Sequence, residues 1–293
     1  MIHIIYNENS GNKKGLKFRK RLEKFFDKNN VEYAFHKTEH SAHATEIARE
    51  LSLAGEKDVI AMGGDGTLHE VLNGIDPSVT NLGIIPCGSG NDFASAMKIP
   101  RKPEKAAQLI LDKKLKPTDY YDCSGVRGIN VIGTGIDVET LLNYQQSKMK
   151  NGKFKYLVCF LRALKKFRFY KFKVTRDDGT YVYSDCLLAC LGNGKQIGGG
   201  IKTNPKAIPD DGLLDLVIVK GMKKSRVPFI LMKLMGGKFL DGDKNKDVII
   251  FERHKHCVID FENEVVLQID GEIYKNLPFD VSIVSDQLKF YRP

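Results

Sequence analysis

The stretch DVIAMGGDGTLHEVLNG, residues 58–74, decides how this chain folds. Asp58 to Met62 reads as a buried strand, and Gly63-Gly64-Asp65-Gly66 follows as a turn. Thr67 opens a helix, and Glu70 three residues on completes a capping-box pattern. Glycines at a strand-to-helix turn let the backbone bend sharply and approach a ligand closely. The helix start beyond offers free N–H groups and partial positive charge to a phosphate. A carboxylate at Asp65 repels bare phosphate but suits Mg²⁺, a hard cation that takes oxygen ligands. Read alone, the turn is more simply a tight βα connection capped by Asp65.

It does not stand alone. Ile2 to Tyr6 reads as a strand followed by the polar loop Asn7 to Asn12, and a basic helix then carries the stripe Phe18, Leu22, Phe25 and Phe26. Val31 to Phe35 alternates as a strand, and Ala44, Ile47, Ala48 and Leu51 form a second helical stripe. Leu82 to Ile85 is a further strand, ending in Pro86-Cys87-Gly88-Ser89-Gly90-Asn91-Asp92, where Asn91 or Asp92 suits an N-cap. Strands alternating with helices imply an α/β domain on a parallel sheet. Three polar, glycine-bearing loops fall at the carboxyl ends of its strands, the edge where such sheets bind ligands. That coincidence favours nucleotide binding over three merely capped helices.

After about residue 120 the texture changes. Strand-like runs at Gly128–Ile132, Phe169–Thr175, Tyr181–Cys190, Leu213–Val219, Asp247–Phe251 and Val265–Ile269 are separated by turn signals such as Asp177-Asp178-Gly179. Helical patterns at Lys153–Lys166 and Val227–Leu234 interrupt them. A β-rich second domain is expected, with the divide near residue 120: 1–120 as the α/β domain and 121–284 as the β-rich one.

The formal net charge of +10 favours anionic partners, whether nucleotide phosphates, nucleic acid or an anionic membrane. No nucleic-acid-binding pattern is present. The N-terminus lacks an apolar leader core, and even the apolar run FILMKLMGG is short and carries Lys233. The 6 cysteines show no CxxC pairing, which fits reduced, buried thiols and a cytoplasmic chain. Residues 153–173 interleave cations with aromatic and aliphatic residues, with Leu157, Phe160, Leu161 and Leu164 as a stripe. Such a helix can lie on an anionic membrane, cover the β layer, or do both, with the stripe packed inward and a basic rim exposed. His254-Lys255-His256-Cys257 lacks a second ligand cluster and reads as a half-exposed strand rather than a metal site.

Taken together, Asn7-x-x-Ser10-Gly11, GGDGT (63–67) with the following LHEVLNG, PCGSGNDFA (86–94), Gly192-Asn193 with Gly198-Gly199-Gly200, DDGLLDLVIV (210–219) and Asp270-Gly271-Glu272 resemble the diacylglycerol kinase catalytic-domain family. The resembling members are its bacterial lipid kinases without membrane spans, related to sphingosine kinases. GGDGT is also similar to NAD kinases and phosphofructokinases; joined to P-x-G-S-x-N-D-F it is specific. The resemblance implies an NAD kinase- and phosphofructokinase-like nucleotide domain, a β-sandwich lipid domain, an active site in the cleft between, and a C-terminal segment of about 285–293 returning to the first domain. It implies ATP as co-substrate, held by Asn7, Ser10, Gly11, Thr38, Gly64, Asp65, Gly66, Thr67 and Ser89. Asp65, Asp92 and Asp119 would organise catalytic Mg²⁺, with Asp122 the alternative to Asp119. Asp65 and Glu272 would be catalytic, Glu272 as general base. Asp215, with the carbonyls of Gly212 and Val217, would hold a second Mg²⁺.

The family loop usually has proline where Glu8 stands, so the loop loses a fixed φ and gains a negative charge. The implied substrate is a membrane lipid alcohol, led by diacylglycerol, reached by peripheral association with the inner membrane face. The rival readings are a soluble-substrate kinase like NAD kinase, and a catalytically silent nucleotide- or lipid-binding regulator. Without the resemblance Asp270-Gly271 is simply a hairpin turn. A homodimer is the prior expectation for oligomeric state.

Overall fold

The computed structural model describes residues 1–149, 153–176, 178–240, 247–262 and 266–293. The chain forms two compact units, residues 1–120 with 284–293, and residues 121–283.

The first unit is α/β. Strands β1 (Ile2–Tyr6), β2 (Tyr33–Lys37), β3 (Asp58–Gly63) and β4 (Asn81–Pro86) alternate with helices α1 (Ser10–Lys28), α2 (His43–Leu53) and α3 (Asp65–Gly74); α4 (Asp92–Ala96), α5 (Pro103–Leu111) and β5 (Leu115–Pro117) follow. The sheet order is β2-β1-β3-β4, then the C-terminal strand Lys289–Tyr291, then β5. β1 to β4 and the C-terminal strand run parallel, and β5 antiparallel. β1, β3 and β4 are almost wholly buried, which is why they read as continuous apolar runs. β2 begins two residues later than its sequence pattern suggests, because Asn30 turns the chain at φ 52 first. The capping-box reading of Thr67 needs correction. Helix α3 starts at Asp65 with Gly64 as N-cap, and Glu70 reaches across to accept the Ala44 N–H at the start of α2 instead.

The second unit is built on an antiparallel 11-stranded sheet among the described residues. In chain order it holds β6 (Tyr120–Cys123), β7 (Val126–Gly128), β8 (Val131–Gly135), α6 (Ile136–Gln146), α7 (Lys153–Lys166), β9 (Tyr170–Thr175), β10 (Tyr181–Gly192), β11 (Leu214–Lys220), α8 (Val227–Gly236), β12 (Ile249–His254), β13 (His256–Phe261), β14 (Val266–Ile269), β15 (Glu272–Lys275) and β16 (Phe279–Val284). Alternation along the strands divides two cores. Leu188 and Cys190 of β10 and Val217 and Val219 of β11 face a cluster closed by Phe160, Leu164, Val227 and Ile230 of α7 and α8. Ala189, Leu191, Leu216 and Ile218 face the other, with Phe172, Ile259 and Val281. The long β10 pairs β9 through residues 181–186, β11 from Cys186 onward across a bulge at Cys186/Leu188, and β8 through residues 188–192, so it serves both layers of a sandwich. The fold is therefore an α/β nucleotide-domain architecture plus a β-sandwich. Val265 and Asp177, which the sequence places in a strand and a turn, lie outside the described residues.

Candidate active site

Two glycine loops of the first unit meet backbone to backbone. A side chain on Gly88 would stand 2.4 Å from the Gly64 Cα, and one on Gly11 (φ +58) 1.8 Å from the Cys87 carbonyl oxygen. Contact this close is possible only for residues without Cβ, so the loops after β1, β3 and β4 close on one another. Asn91 (φ 53) staples the third loop. Its Oδ1 accepts the Gly88 N–H at 2.9 Å and its Nδ2 donates to the Gly88 carbonyl at 2.8 Å. Asn91 is thus N-cap of α4 by position but spends its side chain within the loop.

Asp65 caps α4 from outside: its two oxygens accept the N–H groups of Asp92 and Phe93, each at 3.1 Å. A methyl group on Gly90 would lie 3.2 Å from Asp65 Oδ2 and 3.4 Å from Asp92 Oδ2. Two carboxylate oxygens therefore face one small space that only the missing side chain leaves open. An all-oxygen cradle of two carboxylates fits a hard divalent cation. Asp92 is buried. Asp119 is buried in the same unit, on a segment pinned by Thr118 N–H to the Leu288 carbonyl and by Arg292 Nε to Thr118 Oγ1, both at 3.0 Å. Asp122, its alternative, instead accepts the Gly125 N–H in the β6–β7 turn.

A polar cavity of about 380 Å³ opens beside these loops, with Asn7, Thr38 and Thr67 of the sequence-derived set on its wall. Asn9, His40, Ser41 and Glu70 line it too; the sequence offered only a capping role for Glu70 and nothing for the others. Thr38 donates to the Tyr6 carbonyl through N–H and Oγ1. Ser10 and Gly11 open α1, Gly64 and Gly66 flank Asp65, and Ser89 is exposed on the third loop. Glu8 forms an ion pair with Lys37 at 2.9 Å, so its added charge is locally balanced.

In the second unit, Asp270 (φ 54) and Gly271 (φ 96) are the two-residue turn between β14 and β15, with Ile269 opposite Glu272. Positive φ at both central positions is the type I′ geometry for which Asp-Gly is suited. The turn also has a rigid anchor. The Asp270 carboxylate accepts the N–H groups of Ile129, Asn130 and Val131 and the Tyr121 hydroxyl, at 2.8–3.1 Å. Glu272, first residue of β15, is exposed.

Asp215 is buried on β11. Arg253 Nε lies 3.0 Å from its Oδ1, while its Oδ2 has no hydrogen-bond partner. Burial pushes its carboxyl up to about 6, against the pull of Arg253. The orphaned oxygen suits a cation, although a guanidinium already holds the other oxygen. Gly212 turns at φ 70. Val217 stands mid-strand opposite Cys190 and Phe251, and its carbonyl accepts the Cys190 thiol at 3.7 Å.

One group escaped the sequence reading. Asp137, in the first turn of α6, is fully buried at an apolar cavity of about 30 Å³ whose wall includes Tyr156, Phe160, Leu187, Val219 and Ile230. Neither of its oxygens has a hydrogen-bond partner. Burial is the largest influence on its carboxyl and holds it up at about 7. Asp137 lies in no glycine motif, so only the fold reveals it. The α7 stripe also divides: Phe160 and Leu164 are buried, whereas Leu157 and Leu161 are 37% and 50% exposed. Phe154 on α7 and Phe229 and Met232 on α8 are about 70% exposed. Lys155, one of the cations of this segment, is buried with Nζ 4.1 Å from the Tyr144 ring centroid.

Residues 1–123 match the family model of the diacylglycerol kinase catalytic domain. Residues 130–292 match that of the YegS C-terminal NAD kinase beta sandwich-like domain. The chain belongs to the diacylglycerol kinase catalytic-domain family. It is similar to a diacylglycerol kinase of Bacillus subtilis (strain 168), 32% identical over 282 residues, which covers 94% of this chain and 90% of that one. A diacylglycerol kinase of Mycobacterium tuberculosis (strain H37Rv) is 28% identical over 247 residues, 82% of this chain and 78% of that one. A solved structure of a diacylglycerol kinase from Bacillus anthracis (strain Sterne) shares the fold at TM-score 0.76 and 23% identity, across 100% of this chain and 96% of that one. Membership in this family makes the chain a phosphotransferase of the lipid kinase class. Among the described residues no helix is long and apolar enough to cross a membrane.

Proposed function

We propose that this chain transfers the γ-phosphate of ATP to the hydroxyl of diacylglycerol or a similar lipid alcohol, giving phosphatidic acid or the corresponding lipid phosphate. The observation that carries the reading is the cradle at Gly90, where Asp65 and Asp92 turn carboxylate oxygens to one space between two glycine loops. Bound Mg²⁺ would there neutralise phosphate oxygens, the main demand of phosphoryl transfer. Asp65, Asp92 and Asp119 would hold it. Asn7, Ser10, Gly11, Thr38, Gly64, Gly66, Thr67 and Ser89 would orient the nucleotide through N–H and hydroxyl donors. Glu272 would take the proton of the attacking lipid hydroxyl. Its exposure and its place beside a rigid turn suit that role. For a second Mg²⁺ at Gly212, Asp215 and Val217, the unpartnered Asp215 Oδ2 is the supporting atom.

The lipid side rests on Asp137 and its apolar cavity. A protonated carboxyl in an apolar wall can donate one hydrogen bond to a lipid oxygen while the tail meets aliphatic side chains. A cavity of about 30 Å³ holds no acyl chain, so admission requires side chains of its lining to move. Phe154, Leu157 and Leu161 on α7 and Phe229 and Met232 on α8 are exposed, with exposed Arg162, Lys165, Lys166 and Lys224 nearby in sequence, which gives the two helices an apolar and basic exterior. It suits peripheral contact with an anionic membrane on the cytoplasmic side.

The test is transfer of labelled phosphate from Mg-ATP to a panel of lipids in mixed micelles, with NAD and Asp65→Ala as controls. Transfer to a lipid, abolished in Asp65→Ala, is expected. Transfer to NAD alone would make the chain a soluble-substrate kinase, and no transfer to anything would make it a silent binding protein.

A further inference from the structure

His40, His43 and Glu46 bring one ligand atom each to within 4.8 Å of one another, the one such group of three among the described residues. They stand where β2 has ended and α2 begins, outside the glycine loops. Ala42 (φ 65) makes the bend that folds His40 back over the first turn of α2, so that the two imidazoles stack at 4.4 Å with 8° between their planes. Glu46 lies one turn further along the same helix face, its Oε2 4.0 Å from His40 Nε2.

The ring hydrogen bonds identify which nitrogens carry lone pairs. His40 Nδ1 contacts the Ser41 carbonyl at 2.9 Å, so it must donate, and Nε2 is the unprotonated nitrogen. His43 Nδ1 accepts the Glu39 N–H at 3.0 Å and is therefore the unprotonated nitrogen of its ring. A carbonyl holding the remote N–H of a ligating histidine is the usual outer support of a metal site. Donor atoms around a tetrahedral ion stand roughly 3.3 Å apart, so ligand atoms that lie within 4.8 Å of one another would have to draw closer to share one ion. The Glu39 N–H, on an exposed turn, would have to yield His43 Nδ1 to the ion.

The local charge suits a cation in a chain whose net charge is +10. Glu39 flanks the pair in sequence, and Glu70 places a carboxylate at the start of α2 by accepting the Ala44 N–H. That carboxylate offsets the positive end of the helix, which would otherwise oppose a cation there. Two imidazoles and one carboxylate select a borderline transition ion such as Zn²⁺ over Mg²⁺ or Ca²⁺, which take oxygen.

We infer that His40, His43 and Glu46 form a transition-metal site, of the Zn²⁺ class, separate from the carboxylate cradle at Gly90. Three protein ligands leave a fourth position for water. An ion here would fix His40 and the neighbouring 38–41 segment, which lines the polar cavity.

Calorimetric titration of the full-length protein with Zn²⁺ alone, without nucleotide or lipid, tests the site. The six cysteines are all buried, so they compete poorly. One ion per chain is expected at pH 7.5, with affinity at least tenfold weaker in His40→Ala and in Glu46→Gln. Binding should also weaken at pH 5.5, where protons compete for imidazole. Both side chains are exposed, so neither variant threatens the fold. Failure of the wild type to bind Zn²⁺, or binding that neither variant weakens, would overturn the assignment.

Discussion

Asp270 and Tyr121, 149 residues apart in sequence, meet at 3.0 Å inside the second unit, the phenol donating to a carboxylate that also takes three consecutive amide protons. The phenol is held well above its usual pKa by burial and by that carboxylate. The turn leading to Glu272 is therefore clamped to the segment between β7 and β8. Removing a partner of a buried charged acceptor costs about 1.5–3 kcal/mol. Tyr121→Phe should lower unfolding free energy by about that amount, read from urea denaturation at constant m-value. Asp270→Asn, which turns an amide toward donors, should cost more. A Tyr121→Phe protein as stable as wild type would show the clamp to be redundant.

Gly90→Ala asks whether the space between Asp65 and Asp92 is needed. The added methyl would sit 3.2–3.4 Å from the two oxygens, a contact that small adjustments absorb. Stability should change by less than about 1 kcal/mol, whereas Mg²⁺-dependent turnover should fall at least tenfold. Turnover equal to wild type would place the cation elsewhere.

Asp137 gives a pH signature with a definite sign. Its folded carboxyl is raised to about 7 by burial, above the ordinary value of about 3.9 for the unfolded chain. Between these values the folded state holds the extra proton, so its stabilising effect is full at low pH and is lost as pH rises toward 7. At about 1.4 kcal/mol per unit, the loss reaches up to about 4 kcal/mol. Asp137→Asn should remove that slope and gain stability at pH 8. Parallel pH–stability curves for the two proteins would contradict the assignment.

The exposed pair on α8 bears on membrane contact. Phe229→Ser with Met232→Ser should reduce flotation with phosphatidylglycerol vesicles several-fold. Added salt should weaken the wild type, because surface charge is screened within about 10 Å at 0.1 M. Salt-independent flotation would remove the electrostatic half of the idea.

Much of the fold was legible, because β1, β3 and β4 are buried on both faces and their carboxyl ends carry the glycine loops. What the sequence hid was long-range. Gly128 to Ile132 looks like one strand, yet β7 ends at Gly128 and β8 begins at Val131. The break arises because Asp270, from a distant turn, captures the amides that a strand would have paired. The α7 stripe followed helical period, but period does not say which half of a wide apolar face is covered; only the packing of Phe160 and Leu164 against β10 and β11 does. Asp137 had no local signal, since a single aspartate at a helix start reads as a cap. In the candidate site, Asp65 and Asp92 announced themselves by glycine context, while the anchoring of Glu272 by Asp270 and Tyr121 depends on residues that no short motif joins.

The most direct test of the central claim is transfer of labelled phosphate from Mg-ATP to diacylglycerol by wild type and Glu272→Gln, purified and compared under identical conditions. The account predicts labelled phosphatidic acid from the wild type. It predicts a kcat lower by roughly 10²–10⁴ in the variant, with unchanged stability and nucleotide affinity. A Glu272→Gln enzyme with wild-type kcat would remove Glu272 from the chemistry, and a wild type that labels no lipid would contradict the kinase reading itself.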